Sequence, residues 1–306
     1  MKYMNRMLLL FAVPLLLNCS GNEPIKAPAD DEETPNYSKR LKSISYQTPD
    51  VPFSYDGLIL NYNQEGKIQR ADSFMWDYEI SYPSDAVIEF VVVDDRLSNV
   101  KYNELKRFFI KDNKITHHTV NGTYLYANNT TSGVYDSVTY NYQNDRLIKI
   151  ESFDKNKTLK RYATYTYANN NISEVKRSYI NYKKVTETTT LTFTYDNTPR
   201  IQWSNSNYYA PLAGFIGFRD YPIIQDKLGK LNQNNITGIT YQYDHPVLSP
   251  SFSSIQLTYV RNKDTNLLEE VKLKGHIKTD DKNSDYYPTK AFDKCAVVIE
   301  YEKYIK

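Results

Sequence analysis

The chain of 306 residues lacks any arrangement of side chains that is typical of catalysis or metal binding. Its four histidines are poorly placed as metal ligands. His117 and His118 are adjacent, so in a strand they would face opposite sides, and His245 and His276 have no partner at ligand spacing. We therefore predict no catalytic residue, no metal and no cofactor. Two carboxylates far apart in the sequence would leave no local mark, so a glycan hydrolase stays open as an alternative.

Net charge and cysteine are also scarce. The chain carries 38 Lys and Arg against 36 Asp and Glu, and loss of residues 1–18, which contain two of the basic ones, would leave 36 against 36. A neutral chain has no general field that attracts nucleic acid. Of the two cysteines, Cys295 lies in the apolar run "KCAVVIEY", where we expect a small buried side chain rather than a nucleophile.

Long apolar runs are missing except for Met7–Leu17, which is too short to span a bilayer as a helix of about 20 residues. Lys2 and Arg6 precede this run and the polar break "NCSG" follows it, as in a secretory leader. The end of the leader resembles a bacterial lipobox, although Asn18 stands where Gly or Ala is usual. The resemblance implies that Cys19 is lipidated and anchors the mature chain to a membrane. A plain secretory peptide is the alternative.

The sequence predicts three parts: a lipoprotein signal peptide at 1–18, a disordered tether at 19–40, and a single domain at 41–306. The tether contains three prolines and the acidic run Asp30–Glu33, with almost nothing to bury. This run resembles the export signal of surface-exposed Bacteroidetes lipoproteins, and an ordinary solvated linker is the alternative. We expect a protein of the cell envelope, anchored by its lipid to the outer membrane and exposed at the surface.

Tyrosine is the residue in excess, with 29 copies, and many of them fall in a repeated phrase. In "SVTYNYQNDRLIKIES", Tyr140 and Tyr142 are followed by Leu147 and Ile150. The same spacing recurs in phrases that begin at Phe90, Phe108 and Tyr165, and the stretches Tyr62 to Ile68 and Tyr195 to Ile201 carry its second part with one extra residue. Such regular recurrence indicates an internal structural repeat.

One copy of the phrase predicts one β-hairpin. Residues i and i+2 of a strand share a face, so the two tyrosines point the same way. Connectors such as Gln64–Gly66, Gln143–Asp145 and Ala168–Asn171 are rich in residues that tolerate positive φ, and we expect turns there, including Asn169, Asn170 and Asn171. A lone hairpin cannot bury its aromatic face. The predicted fold is therefore all-β, a long antiparallel meander of hairpins in a strongly curved or partly closed barrel.

The repeated phrase resembles the tyrosine-aspartate (YD/RHS-like) hairpin repeats of bacterial cell-surface proteins. Together with the leader and the tether, it is similar to an uncharacterised domain of Bacteroidetes lipoproteins with a porin-like fold, which brings no established activity. A membrane-spanning barrel is not expected, because alternate positions in strands such as "TLTFTYDN" are Thr, Asn, Lys and Glu rather than apolar residues.

The period changes near 210–231, where apolar residues recur at spacings of three, four and seven. This pattern predicts a short helical insert, broken near Pro222, that caps the core or covers a cleft as a lid. Just before it, "WSNSNYYAP" places Trp203, Tyr208 and Tyr209 beside Asn205 and Asn207. That mixture of rings and amides predicts an aromatic rim of a glycan or peptide site, with packing against the barrel as the alternative.

The sequence thus favours a non-catalytic binding or accessory module of the envelope. Its expected partners are the membrane, through the N-terminal lipid, and a glycan or an envelope protein, but no nucleic acid. A structural or protein-interaction scaffold is the second class. Ligand binding that is lost with an aromatic side chain would favour the first class, and co-purification with an envelope complex would favour the second.

Overall fold

The computed structural model describes residues 37–47, 57–73, 76–95, 100–126, 131–180, 184–200, 221–244, 251–277 and 292–305. Residues 39–303 form one compact unit. A second unit comprises Met1–Ser38 and Tyr304–Lys306, of which only 37, 38, 304 and 305 are described. The strands are β1 Tyr37–Gln47, β2 Leu58–Tyr62, β3 Ile68–Ser73, β4 Trp76–Ser84, β5 Val87–Asp95, β6 Val100–Lys111, β7 Lys114–Tyr126, β8 Thr131–Gln143, β9 Arg146–Phe153, β10 Leu159–Ala168, β11 Asn171–Ile180, β12 Thr186–Pro199, β13 Asn234–Asp244, β14 Ser251–Arg261, β15 Leu268–Ile277 and β16 Phe292–Ile305.

These sixteen strands form a closed barrel in which every strand pairs with its sequence neighbours and β1 pairs with β16. The predicted antiparallel meander is confirmed, and the barrel closes fully, whereas partial closure was one of the expected forms. Side-chain contacts of Arg40 with Glu302 and of Ser43 with Glu300 hold the β1/β16 seam. Strand β1 starts at Tyr37, within the stretch predicted as tether.

The hairpin turns follow from residues that accept a left-handed backbone. Asn144 and Asp145 have φ of 51° and 62°, and Asn169 and Asn170 have φ of 50° and 63°. Asn and Asp visit this region at low cost, because their short polar side chains bond locally. The predicted turns are confirmed, and Asn171 is already the first residue of β11.

Alternation along the strands separates a buried inner face from a polar outer face. Each strand contributes at least one buried apolar side chain to one core cluster. In β4 the alternate residues Tyr78, Ile80 and Tyr82 are buried in the core or packed against it. The outer face carries ion pairs between alternate residues of single strands, such as Lys149 with Glu151.

A tyrosine near the turn end of a hairpin's first strand can link that hairpin to the strand before it. Its hydroxyl donates across to a backbone carbonyl of the preceding strand at 2.5 to 3.0 Å in five pairs, namely Tyr62 to Leu41, Tyr82 to Ile68, Tyr167 to Leu147, Tyr195 to Ile172 and Tyr259 to Ile236. The ring fills the core while its polar tip satisfies a backbone acceptor. This bond gives a physical reason for tyrosine, rather than phenylalanine, at that position.

Helical structure occurs where it was predicted, but it is arranged differently. Helix α1 is Tyr221–Ile224, followed by a 3₁₀ turn at Gln225–Lys227. Pro222 therefore lies in the first turn of the helix, where its missing N–H costs nothing. The helical turns predicted before Pro222 fall on residues outside the described ones, so the predicted break there stays a prediction. We call residues 221–231 the insert.

The insert closes one end of the barrel with apolar side chains. Ile223, Ile224, Leu228 and Leu231 are all buried, which stabilises the docked insert by about 1.5–3 kcal/mol for each side chain. The insert also interrupts the repeat that starts at Tyr195. The residue that pairs with Tyr195 is Ile236 of β13, not Ile201, which lies outside the described residues.

The two ends of the barrel differ in their connections. The insert and the tight turns at 64–66, 112–113, 144–145 and 169–170 share one end, which we call the insert end. Strand β1 enters the barrel there, because Tyr62, next to the turn at 64–66, bonds to Leu41. The opposite end, which we call the mouth, includes the turn at 154–158 between β9 and β10. No helix in the described ranges is long and apolar enough to cross a membrane.

Candidate functional site

Polar and charged side chains replace the apolar core on part of the inner face. We define the inner polar wall as Tyr78, Glu104, Lys106, His118, Asp136, Tyr140, Ser152 and Arg161. These residues lie on β4, β6, β7, β8, β9 and β10, at positions that share the parity of buried core residues such as Phe108, Ile150 and Ala163.

Strand register brings the wall together. His118 pairs with Phe108 on one side and with Val138 on the other. Ser152 pairs with Val138 and with Arg161. Because directly paired residues lie on the same face about 4.5–5.5 Å apart, one row of side chains crosses five strands.

His118 is held in the wall by a hydrogen bond and by aromatic packing. Its Nδ1 lies 2.8 Å from the Tyr140 hydroxyl, and its ring lies 4.8 Å from that of Phe108. Burial, and then the nearby charges of Lys106 and Arg161, lower the pKa of His118 well below 6.5. The side chain is therefore a neutral hydrogen-bonding group at physiological pH.

His117 faces the other side, as predicted. Its ring stacks on Phe109 with the planes 6° apart, on the outer face of the sheet.

Glu104 and Lys106 form a largely buried pair deeper in the wall. Lys106 Nζ lies 3.7 Å from Glu104 Oε1, and the two side chains are 12% and 9% exposed. The Tyr78 hydroxyl donates to the same Oε1 at 3.4 Å. The cost of desolvating such a pair can cancel its Coulomb attraction. Apolar side chains at these two positions would therefore stabilise the barrel equally well.

The wall becomes accessible to solvent towards the mouth. Arg161 Nη2 lies 3.2 Å from Asp136 Oδ2, and about a third of each side chain is exposed. Tyr179 pairs with Arg161 on the same face and is 52% exposed. Burial raises the pKa of Asp136, and Arg161 opposes that rise. Solvent therefore reaches the inner face at this end.

The wall offers a mixed set of donors and acceptors with two charges of each sign. Ser152 adds a fully buried hydroxyl that has no hydrogen-bond partner within the described part of the chain. In that same part, no group of three His, Cys, Asp or Glu side chains could hold a metal ion. The arrangement can bind a polar ligand through several hydrogen bonds.

The sequence-predicted site residues Cys19, Trp203, Asn205, Tyr208 and Tyr209 lie outside the described residues. The inner polar wall itself was missed as a group, although His118 and Tyr140 both occupy inward positions of the repeat. The alternation of inward and outward side chains along a strand could have revealed these residues. Continuing the inward face of β6 backwards from Phe108 reaches Lys106 and then Glu104, where an apolar residue would be expected.

Similarity to known proteins lies in the fold. The chain resembles the crystal structure of a porin-like protein from Bacteroides vulgatus with a TM-score of 0.56 and 13% sequence identity, over 86% of this chain and 98% of that one. A porin-like protein from Bacteroides uniformis gives a TM-score of 0.49 and 12% identity, over 86% and 96%. No family model matches the sequence, and no curated protein matches it. The expected porin-like barrel fold is confirmed.

Proposed function

We propose that the protein is a non-catalytic binding lipoprotein of the cell envelope whose barrel mouth takes a glycan. The observation that carries the proposal is the inner polar wall, where Asp136 and Arg161 are open to solvent and lead to the buried pair His118 and Tyr140. Hydroxyl-rich ligands need many donors and acceptors but no net charge. The wall provides several donors and acceptors, and its two positive and two negative side chains balance. The exposed ring of Tyr179 provides an apolar face for stacking.

The lipid anchor proposed at Cys19 fits the polarity of the barrel. A barrel embedded in lipid carries an apolar band on its outside. The outer face of this barrel instead carries ion pairs, among them Arg107 with Glu89 and Lys176 with Glu174.

Glycan binding is tested with two arginine variants that differ in the face they occupy. Arg161→Ala removes a solvent-accessible cation of the wall and should abolish a glycan-array signal given by the wild type. Arg107→Ala is the matched control, because Arg107 forms a similar ion pair with Glu89 on the outer face. Equal binding by both variants, with intact thermal melting, would reject the mouth as the site.

Anchoring is tested with labelled fatty acid. The wild-type chain should incorporate the label and partition with membranes, whereas Cys19→Ala should be released or remain unprocessed. A wild-type chain without label would remove the lipoprotein part of the proposal.

The aromatic stretch after β12 remains a second proposed contact for a glycan or peptide. Trp203→Ala and Tyr208→Ala should weaken binding with little loss of thermal stability. Unchanged binding with a large loss of stability would assign these rings to packing.

Two other functions are kept as alternatives. A scaffold of the outer membrane would co-purify with an envelope complex and give no glycan signal. Hydrolysis of a glycan is favoured by one observation, the raised pKa of Asp136 on a wall that also holds Glu104. A turnover assay in which Asp136→Asn loses activity would support hydrolysis.

A further inference from the structure

A cleft lies at the insert end, opposite the mouth. This cleft of about 470 Å³, which we call the insert cleft, is lined by Gln143, Asn144, Arg146, Ile148, Tyr167 and Lys230. It therefore joins the turn between β8 and β9, the end of β10 and the insert. The lining contributes two cations, two amides and one aromatic ring.

Arg146 is oriented without being neutralised. Its guanidinium lies 5.1 Å from the centre of the Tyr167 ring and donates to Asn170 Oδ1 at 2.5 Å. Throughout the described residues it forms no ion pair with a carboxylate. An arginine placed by a ring and a neutral amide keeps its charge and its remaining donors for another partner.

The adjacent carboxylate is already compensated. Asp145 Oδ1 lies 2.8 Å from Lys114 Nζ, and this contact lowers the pKa of Asp145. Lys230 Nζ is 4.0 Å from the other oxygen, and the Lys230 side chain is mostly exposed. Lys114 and Lys230 therefore both lie beside this one carboxylate. Among the described residues, the cleft lining itself holds the cations Arg146 and Lys230 and no carboxylate, so it is locally positive although the whole chain is nearly neutral.

The backbone of the insert fixes Lys230 at the edge of the cleft. Lys230 N donates to the Asp145 carbonyl at 2.8 Å. Gly229, with φ of 68°, fits against the same turn because a Cβ there would lie 2.4 Å from the Asp145 oxygen. The Arg146 guanidinium and the backbone that carries Lys230 are thus held in place before any ligand arrives, which lowers the entropic cost of binding.

We infer that the insert cleft binds an oxyanion of the phosphate class, held by the Arg146 guanidinium and Lys230 Nζ with the amides of Gln143 and Asn144 beside them. The source can be free phosphate or the headgroup of an anionic lipid. The second source rests on the proposed function, since a lipid on Cys19 would hold the chain at a membrane surface.

The test uses the full chain carrying Cys19→Ala, which has no acyl chain of its own. Inorganic phosphate is titrated and followed by phosphorus NMR, and sedimentation is measured with phosphatidylcholine vesicles with and without phosphatidylglycerol. Arg146→Ala and Lys230→Ala should each weaken binding by about tenfold. Lys263→Ala is the matched control, because Lys263 is an exposed lysine in the β14/β15 turn at the same end and should leave binding unchanged.

Saturable phosphate binding that depends on Arg146 supports the site. Arg146-dependent sedimentation with anionic vesicles alone supports it with a headgroup as the source. Absence of both signals, or binding equal in Arg146→Ala and wild type, overturns the inference. If Arg146→Ala fails to fold, Lys230→Ala and Arg146→Lys give the same decision. None of these outcomes depends on Arg161. A negative phosphate test therefore leaves the glycan proposal at the mouth unaffected, and a negative glycan test leaves the insert cleft unaffected.

Discussion

His118 shows at the scale of a single residue how the inner wall combines polar chemistry with burial. Its ring has a 2.8 Å contact to the Tyr140 hydroxyl and lies where Lys106, Arg161 and His117 all disfavour a positive charge. Protonation would place a third cation on a wall that is only partly exposed. The side chain is therefore useful as a neutral hydrogen-bonding group and costly as a cation.

The stability of the protein should fall in mild acid because of this residue. Above pH 6.5 both the folded and the unfolded chain hold His118 neutral, so it has no effect. Below that value the unfolded chain binds a proton that the folded chain does not, and the free energy of unfolding falls by up to about 1.4 kcal/mol per pH unit. Urea unfolding of His118→Gln between pH 6.5 and about 5 should show a shallower slope.

The control for this experiment is the neighbouring histidine. His117 is only partly buried and its pKa is lowered to a smaller extent, so His117→Gln should keep most of the wild-type slope. Asp136 acts in the opposite direction at lower pH, because its raised pKa makes the folded chain the tighter proton binder. Equal slopes for His118→Gln and wild type would contradict the assignment.

At the scale of the hairpin, Tyr142 departs from the tyrosine bonds between successive hairpins. Tyr142 occupies the same position on β8, but its buried hydroxyl has no hydrogen-bond partner among the described residues. By the repeat, its acceptor would be the carbonyl of Ile115. The insert meets the barrel here, since Gly229 lies against the Tyr142 ring.

Removing the hydroxyl should therefore have opposite consequences at two equivalent positions. Tyr167→Phe deletes a bond to Leu147 O and should cost about 0.5–1.5 kcal/mol of stability. Tyr142→Phe removes an unsatisfied polar atom and should be neutral or stabilising. Chemical unfolding of the two variants makes the comparison, and an equal loss in both would show that the bond to the preceding strand is not what selects tyrosine.

The tight turns give a prediction at the same scale. Asn170 has φ of 63°, a conformation that a β-branched side chain resists. Asn170→Val should destabilise the protein by about 1–3 kcal/mol, whereas Asn170→Gly should be close to neutral. The free energy of unfolding of both variants measures the difference, and a valine variant as stable as the glycine one would contradict a strained turn.

Sequence reasoning reached the hairpins because their information is local. Two tyrosines at i and i+2, then Asn or Asp at the turn, determine a face and a reversal without reference to the rest of the chain, as at Tyr165 to Asn170. Closure depends instead on the pairing of β1 with β16, which no local pattern encodes. The inner polar wall was missed for a similar reason, since Asp136 and Arg161 meet across an intervening strand.

At the scale of the whole molecule, the abundance of buried tyrosine should produce a sharp alkaline transition. Burial raises the pKa of Tyr62, Tyr82 and Tyr301 to about 12, and the pKa values of Tyr142, Tyr165, Tyr167 and Tyr195 are raised further. The stability that these groups contribute is fully present below pH 10 and is lost as the pH rises towards their folded values. Each can contribute up to about 1.4 kcal/mol per pH unit, so the barrel should unfold cooperatively above pH 10.

Tyrosinate absorbance and far-ultraviolet circular dichroism, followed in one titration, measure this transition. The two signals should change together, because the buried rings ionise only when the barrel opens. Full ionisation at the ordinary tyrosine pKa with the dichroism intact would show that the rings are accessible to hydroxide in the folded state.

The seam between β1 and β16 sets the order in which the barrel can assemble. Fifteen of the sixteen strand junctions join neighbours in sequence, so they can form progressively along the chain, most of them across short loops. The remaining junction brings together residues such as Arg40 and Glu302, which are 262 positions apart. The entropic cost of closing this loop is the largest of any strand pairing, unless the intervening strands have already paired and brought β1 close to β16. Ring closure is therefore the final event of folding, and a nascent chain exposes both free edges of its sheet until its last strand has been synthesised.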